Sequence, residues 1–231
     1  MATIGILGTG RMGVRLAKVF AEVGQQVILG SRTVDRARSI VKSLQFANLT
    51  AGRYEDAANA DVILPAMFLR DGLLDILEPL RNHFDGKIYI DISNPFNDTY
   101  TDFILPWNTS GAEQIQHRFP KTRVVGAFKN VWWEVFDAPM FGDTVSDVFV
   151  VSNDAEAKAA FFQLVEQTPF RYIDAGRLAN ARTIERMTLL SGELGQRYGY
   201  FPRMNYKFLG ETWIPGQHDP LSTLTSENRT A

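Results

Sequence analysis

The chain has 231 residues, room for one large domain with at most a small appendage. It is 45% hydrophobic and 22% charged with a formal net charge of −2, so it lacks the basic excess of a nucleic-acid binder. It holds no cysteine and 3 histidines (His83, His117, His218) without a His-x-x-x-His pair, which excludes disulfides, thiolate nucleophiles and cysteine-ligated clusters and leaves no metal pattern.

In chain order, Thr3 to Leu7 reads as a short buried strand and Arg11 to Val23 as a helix with apolar residues at helical spacing. A strand over Gln26 to Gly30, a helix over Val34 to Leu44 and a weaker strand near Leu49 to Ala51 follow. Asp61 to Leu64 is a strand, Leu73 to Phe84 a helix, and Lys87 to Asp91 a strand ended by Ser93-Asn94-Pro95. The stretch from Asn94 to Gly111 lacks periodicity and is a long loop of the kind that is usually functional. Ser110 caps a helix to Phe119, with Glu113 at capping-box spacing, and Arg123 to Phe128 is the sixth strand. Further on come a strand over Asp147 to Ser152, a helix over Asp154 to Thr168, a strand over Arg171 to Asp174 and a long helix over Arg177 to Tyr198. The alternation predicts an α/β fold, a doubly wound Rossmann-type parallel sheet covered on both faces, with a small C-terminal helical extension. Residues 1–209 are expected to form a single nucleotide-binding domain, and 210–231, polar and proline-bearing, an extended tail. No run of 18 apolar residues occurs, and Met1-Ala2-Thr3 enters a strand pattern with no basic region or cleavage site. Neither a membrane span nor a signal peptide is expected, and the expected location is the cytoplasm.

Gly8-Thr9-Gly10-Arg11-Met12-Gly13 lies between the first strand and the first helix, the context in which a GxGxxG string reads as a dinucleotide turn. Gly8 permits the turn, Gly10 admits a pyrophosphate, and Gly13 lets helix and strand pack closely. The second strand ends in Gly30-Ser31-Arg32, without the carboxylate that grips the ribose of NAD(H). Ser31 can donate to a 2′-phosphate, Arg32 can pair with it and stack on adenine, and Arg36 lies one helical turn onward. The expected cofactor is therefore NADP(H). Ala66, Met67 and Phe68 after the fourth strand, and Asn94 with Pro95 after the fifth, fall at the strand ends where such sheets bind ligands. Met67 and Phe68 read equally as core. Asn94 suits a carboxamide or a ribose hydroxyl, or simply a turn before proline.

Together with Asp174-Ala175-Gly176-Arg177-Leu178-Ala179-Asn180-Ala181-Arg182, these strings resemble the NADP-dependent coenzyme F420 (deazaflavin) oxidoreductases. The same module forms the cytosolic domain of the six-transmembrane ferric reductases, where the partner is a flavin. Ser110 to Ile115 and Arg123 to Phe128 are similar to the middle section of the family, and the resemblance spans residues 3 to 209. It implies one compact α/β unit, often dimeric. It also implies hydride transfer between nicotinamide and a stacked deazaflavin or flavin ring, achieved by orientation with no obligatory acid or base.

The chain departs from the family at Lys129, where Asn or His is usual. Gly126-Ala127-Phe128-Lys129-Asn130 is similar to the lysine-asparagine strings of polyol-phosphate dehydrogenases, in which the lysine is acid and base. Ala127 adjoins the expected nicotinamide site, and Lys129 is the candidate catalytic residue, expected to reach the nicotinamide face; the alternative is a salt-bridged or solvent lysine. Val131-Trp132-Trp133-Glu134-Val135-Phe136 could wall a planar ligand, fill core or make a dimer contact. Three functions stay open: a deazaflavin- or flavin-linked reductase, a carbonyl or imine reductase with Lys129 as proton donor, and a non-catalytic NADP(H)-binding module. The partner is expected to be a small-molecule acceptor. A homodimer through the last helix, with Leu178, Ile184, Met187, Leu190, Leu194 and Tyr198, is expected as well.

Overall fold

The computed structural model describes residues 2–213. The elements run β1 (Thr3–Leu7), α1 (Arg11–Glu22), β2 (Gln26–Gly30), α2 (Val34–Leu44), β3 (Leu49–Gly52), α3 (Tyr54–Ala58) and β4 (Val62–Pro65). Then come α4 (Leu73–Leu77), β5 (Ile88–Asp91), α5 (Gly111–Arg118), β6 (Arg123–Gly126), α6 (Trp133–Asp137), β7 (Met140–Phe141) and β8 (Thr144–Val145). The last are β9 (Asp147–Val150), α7 (Ala155–Val165), β10 (Arg171–Asp174) and α8 (Ala181–Arg197).

Six parallel strands form the central sheet in the order β3-β2-β1-β4-β5-β6. The order reverses between β1 and β4, which opens a crevice at their carboxyl ends. Leu7 pairs with Gly30 on one side and Pro65 on the other, so the turns after β1, β2 and β4 emerge at one level. Successive strand residues bury on opposite faces. Leu64, Ile90 and Val125 join one core with Leu16 and Phe20, while Ile63, Tyr89 and Val124 join the other with Leu77 and Ile115. Both faces are covered, as the apolar strands require.

β9 and β10 pair with each other rather than entering the central sheet. They attach through one antiparallel bridge, with Gly126 and Val151 exchanging hydrogen bonds of 2.8 and 2.9 Å. The helix expected over Leu73 to Phe84 divides. α4 ends at Leu77 and a 3₁₀ turn runs from Glu78 to His83, because Pro79 has no N–H to continue the ladder. The last helix likewise starts as a 3₁₀ turn, Leu178–Asn180. The family-like string before it is built as a turn: Gly176 N donates to Asp174 Oδ1 at 2.8 Å and Asn180 Nδ2 to the Ala175 carbonyl at 2.6 Å. α3, α6 and the β7–β8 hairpin are additions to the sequence reading. The Ser110 cap is as expected, with its Oγ accepting from Glu113 N at 3.2 Å.

After α8 the chain returns across β9. Buried Asp147 accepts from Lys207 Nζ at 2.8 Å and Phe208 N at 2.7 Å while paired to Arg171. Burial works against its ionisation, but Arg171 and Lys207 hold the carboxyl below its ordinary range. Residues 210–213 have no regular structure; the rest of the expected tail lies outside the described residues. Among the described residues no helix is long and apolar enough to cross a membrane, and no group of His, Cys, Asp and Glu could hold a metal.

Candidate functional site

The turn from β1 into α1 is shaped by its glycines. Gly8 has φ 128°, in the region that favours glycine, and its N–H donates to the Gly30 carbonyl at 3.0 Å. A Cβ on Gly13 would lie 2.1 Å from the Gly8 carbonyl oxygen, so only glycine fits there. Gly10 differs: a Cβ there would meet nothing within 4 Å. It faces open space at the start of α1, whose first turn has neither an acidic residue nor a side-chain cap. A pyrophosphate fits this cradle. Thr9 spans the turn, and its carbonyl accepts from Arg36 Nη2 at 3.1 Å, tying α2 to the turn.

At the end of β2, Ser31 is buried and its Oγ accepts from Thr33 N at 3.2 Å. Arg32 and Arg36 are exposed, and among the described residues neither has a carboxylate within ion-pair distance. Asp35 turns away to pair with Arg38 at 2.9 Å. Ser31, Arg32 and Arg36 thus lie between the end of β2 and the first turn of α2, with no ion pair to either arginine among the described residues and with Arg36 reaching the glycine turn.

A cleft of about 970 Å³ opens beside that turn. Of the residues singled out in the sequence, Gly10, Arg11, Met12, Ala66, Met67, Phe68 and Asn94 line it. Met67 and Phe68 are therefore cleft wall, Phe68 37% exposed and Met67 also packed, partly buried, against the core. Trp132 and Trp133 also line it. Trp132 is anchored by Nε1 donating to Ser191 Oγ at 2.9 Å, and Trp133 carries the Arg11 guanidinium 4.8 Å from its ring centre. Pro95 and Ala127 are buried and do not line the cleft.

The long loop after β5 is more ordered than its sequence suggests. Phe96 and Phe103 form an antiparallel bridge, and Asn97 N donates to the Asp102 carbonyl at 2.8 Å. Thr99, Tyr100 and Thr101 at its tip line the cleft. Arg70 holds the tip, stacking on Phe68 and Tyr100 and donating to the Asn97 carbonyl at 2.7 Å.

The structure corrects the expected placement of Lys129. Its ammonium does not reach the cleft, which its side chain does not line. Phe128 adopts φ 57°, uncommon for a bulky residue, and is held there by Phe20, Phe136, Phe161 and Tyr172. After this reversal the Lys129 side chain turns inward and is 1% exposed. Nζ donates to the Ser93 carbonyl at 2.5 Å and to Glu185 Oε1 at 2.8 Å, and lies 2.6 Å from Asp91 Oδ2 as an ion pair. Two oxygens accept from it and a third lies at ion-pair distance, so the ammonium is enclosed by groups of the scaffold, away from the cleft. Burial pulls the ammonium towards neutrality, but Asp91 and Glu185 outweigh it and hold Lys129 above its ordinary range. Burial raises the Glu185 carboxyl, against the opposing pull of Lys129. Glu185 also accepts from Gly111 N at 3.0 Å, so the triad joins β5, the turn after β6, α5 and α8. Asn94 belongs to this scaffold as well: its Nδ2 donates to the Lys129 carbonyl at 2.7 Å, while its Oδ1 is buried without a donor among the described residues.

The sequence reading missed the α8 wall, where Thr188, Leu189, Gly192, Glu193 and Gln196 line the cleft with Phe201 beyond. Gly192 was the available signal. A glycine inside a helix usually has a packing reason, and a Cβ there would lie 2.9 Å from the Trp132 ring.

Residues 3–95 match the family described as NADP oxidoreductase, coenzyme F420-dependent. The F420-dependent NADP reductase of Methanocaldococcus jannaschii is 30% identical over 204 residues, covering 83% of this chain and 91% of that protein. The chain belongs to the coenzyme F420-dependent NADP oxidoreductase family. As a member it is an NADP-dependent oxidoreductase, with a cradle and a cationic cluster that fit NADP(H). The rat metalloreductase STEAP3 is 30% identical over 187 residues, covering 80% of this chain but 36% of that protein. A solved structure from Arthrobacter sp. FB24, described as a candidate F420-dependent NADP-reductase, superposes with a TM-score of 0.81 at 24% identity. It covers 91% of this chain and all of that one, and confirms the fold of this family member.

Proposed function

We propose that the chain passes hydride between NADP(H) and a deazaflavin or flavin ring bound in the aromatic cleft. The glycine turn and the α1 N-terminus would hold the pyrophosphate, and Ser31, Arg32 and Arg36 the 2′-phosphate. When bound, NADPH supplies a hydride from its nicotinamide. Met67, Phe68, Trp132 and Trp133 would confine the acceptor ring and exclude water.

The observation that carries this reading is the aromatic wall of the cleft, where Phe68, Trp132, Trp133 and Phe201 stand beside the glycine turn and suit a planar ring. Among the described residues, the ionisable side chains lining the cleft are Arg11, Tyr100 and Glu193. The Tyr100 hydroxyl accepts from Arg70 Nη2 at 2.6 Å and keeps its own proton, Glu193 pairs with Arg197 at 2.8 Å, and Lys129 lies outside the lining. A ring that takes a hydride and exchanges its proton with solvent needs no acid from this site, whereas a carbonyl or imine would have to draw its proton from Tyr100. The test is NADPH oxidation with coenzyme F420, FMN, FAD and a carbonyl and imine panel side by side. Turnover is expected with the ring acceptors. Turnover confined to carbonyls or imines would overturn the reading, and binding without turnover would point to a non-catalytic module.

We also place a homodimer contact on α8. Leu178 and Ile184 are buried within the chain, but Leu190, Leu194 and Tyr198 recur every four residues and are 50%, 37% and 62% exposed. A second copy would cover this apolar stripe. Light scattering at micromolar protein should return twice the chain mass of 26.0 kDa; the single-chain value would refute the contact. A chain without cysteine fits a reducing compartment, and we assign it to the cytoplasm.

A further inference from the structure

Two arginines, Arg11 and Arg15, project from α1 towards α6, and the structure treats them differently. Arg15 is neutralised twice, by Glu134 at 3.2 Å and Asp137 at 2.6 Å. Arg11, one turn earlier, meets Trp133 instead. The indole supports the guanidinium without cancelling its charge. Trp133 is itself braced edge-on by Trp132 and Phe201, with ring centres 5.7 and 5.3 Å away, so the platform under Arg11 is fixed.

The charge count of the cleft follows. Among the described residues, Glu193 is the one carboxylate in the lining, and it is engaged by Arg197 at 2.8 Å. Among the described residues, Arg11 is the one cation in the lining, and no ion pair to it is formed. The rest is mainly apolar and aromatic. In the functional reading above, the phosphates of the dinucleotide already have partners, namely the α1 amides and the Ser31, Arg32 and Arg36 cluster. Arg11 is therefore an exposed cation on the wall of the acceptor cleft with no assigned anion.

We propose that Arg11 anchors a phosphate or carboxylate carried on the side chain of the ring acceptor. The preferred substrates are then ring compounds with an anionic tail rather than the bare ring. This rests on the reading of the cleft as a ring-acceptor site. The guanidinium would fork to the anion while Trp133 holds its plane, a role lysine could not fill equally well.

The anion could instead be the pyrophosphate of NADP(H), and the experiment separates the two sources. Acceptor binding is read by fluorescence for two pairs that share a ring but differ in the tail. These are FMN against riboflavin, and coenzyme F420 against its deazariboflavin core without the phosphate tail. NADP+ binding is measured separately by calorimetry. In the wild-type protein at least one tailed ring should bind about ten- to a hundredfold tighter than its neutral partner. Arg11→Gln should abolish that preference and leave the Kd for NADP+ within about twofold, since the phosphate cluster and the α1 amides are untouched. Equal binding of tailed and bare rings by the wild type would overturn the anchor while leaving the ring-acceptor reading intact. A preference that survives Arg11→Gln would overturn it too. Tenfold weaker NADP+ binding with the tail preference unchanged would reassign Arg11 to the dinucleotide. Failure of all four rings to bind would remove the acceptor reading, and the anchor with it.

Discussion

Lys129→Met should destabilise the protein by about 3–5 kcal/mol at neutral pH, the cost of leaving buried charges without their counter-ion. Lys129 and Asp91 are each 1% exposed, as is Glu185, so water cannot replace the missing ammonium. Methionine keeps the length and apolar stem of the side chain, so the loss reports the charge rather than a cavity. The sign of the pH dependence follows from burial. In the variant the Glu185 carboxyl no longer feels the ammonium that opposes its upward shift. A carboxyl whose folded pKa is raised contributes stability while protonated and loses it as pH rises. The deficit relative to wild type should therefore be larger at pH 8 than at pH 5.5, as read from urea midpoints. Adding Glu185→Gln should recover part of it, because one buried charge is removed and the amide oxygen can still accept from Gly111 N. A deficit below about 1 kcal/mol, or one independent of pH, would show that the triad does not stabilise the fold in this way.

Lys129 also marks how far the sequence could be read. That it follows the sixth strand is local information, carried by the apolar run Arg123 to Gly126. Which way its side chain turns is not local. It depends on the left-handed backbone at Phe128, and on Asp91 and Glu185, the latter 56 residues away in the chain. The central sheet was legible because each strand is a short apolar run bounded by a breaker, and the glycine turn because its steric demands belong to neighbouring residues. α3 was hidden because five residues, Tyr54–Ala58, are too few to show a helical period. α6 was hidden inside an aromatic run whose residues serve the cleft and the core at once. The α8 wall was misread as dimer surface alone. An amphipathic pattern identifies an apolar face but not its occupant, and this helix has two such faces. Thr188 and Gly192 look into the cleft, and Leu190 and Leu194 look out.

Arg32→Ala should weaken NADPH binding by about ten- to a hundredfold while changing NADH binding less than about twofold. A charge-assisted contact to phosphate is worth about 1.5–3 kcal/mol, and NADH lacks the phosphate that would make it. The arrangement at the end of β2 supports both halves of this expectation. Ser31 is fixed by its own backbone, with N donating to the Gly52 carbonyl at 3.0 Å, so its position should survive loss of the neighbouring guanidinium. Asp35, the one carboxylate near the start of α2 that could repel a 2′-phosphate, is neutralised by Arg38 at 2.9 Å. Arg36 is committed in part to the Thr9 carbonyl, so it cannot fully take over from Arg32. Arg36→Ala should accordingly cost less against the phosphate than Arg32→Ala, but it should also loosen the glycine turn and weaken NADH and NADPH alike. Titration of both variants with both dinucleotides separates the two arginines. Arg32→Ala loses most of the discrimination, and Arg36→Ala loses affinity for both dinucleotides with a smaller loss of discrimination. Comparable affinities of the wild-type protein for NADH and NADPH would remove the phosphate role from the cluster. The unneutralised arginines would then have to be explained as solvated charges opposing the dipole at the start of α2, an arrangement that is unfavourable without an anion.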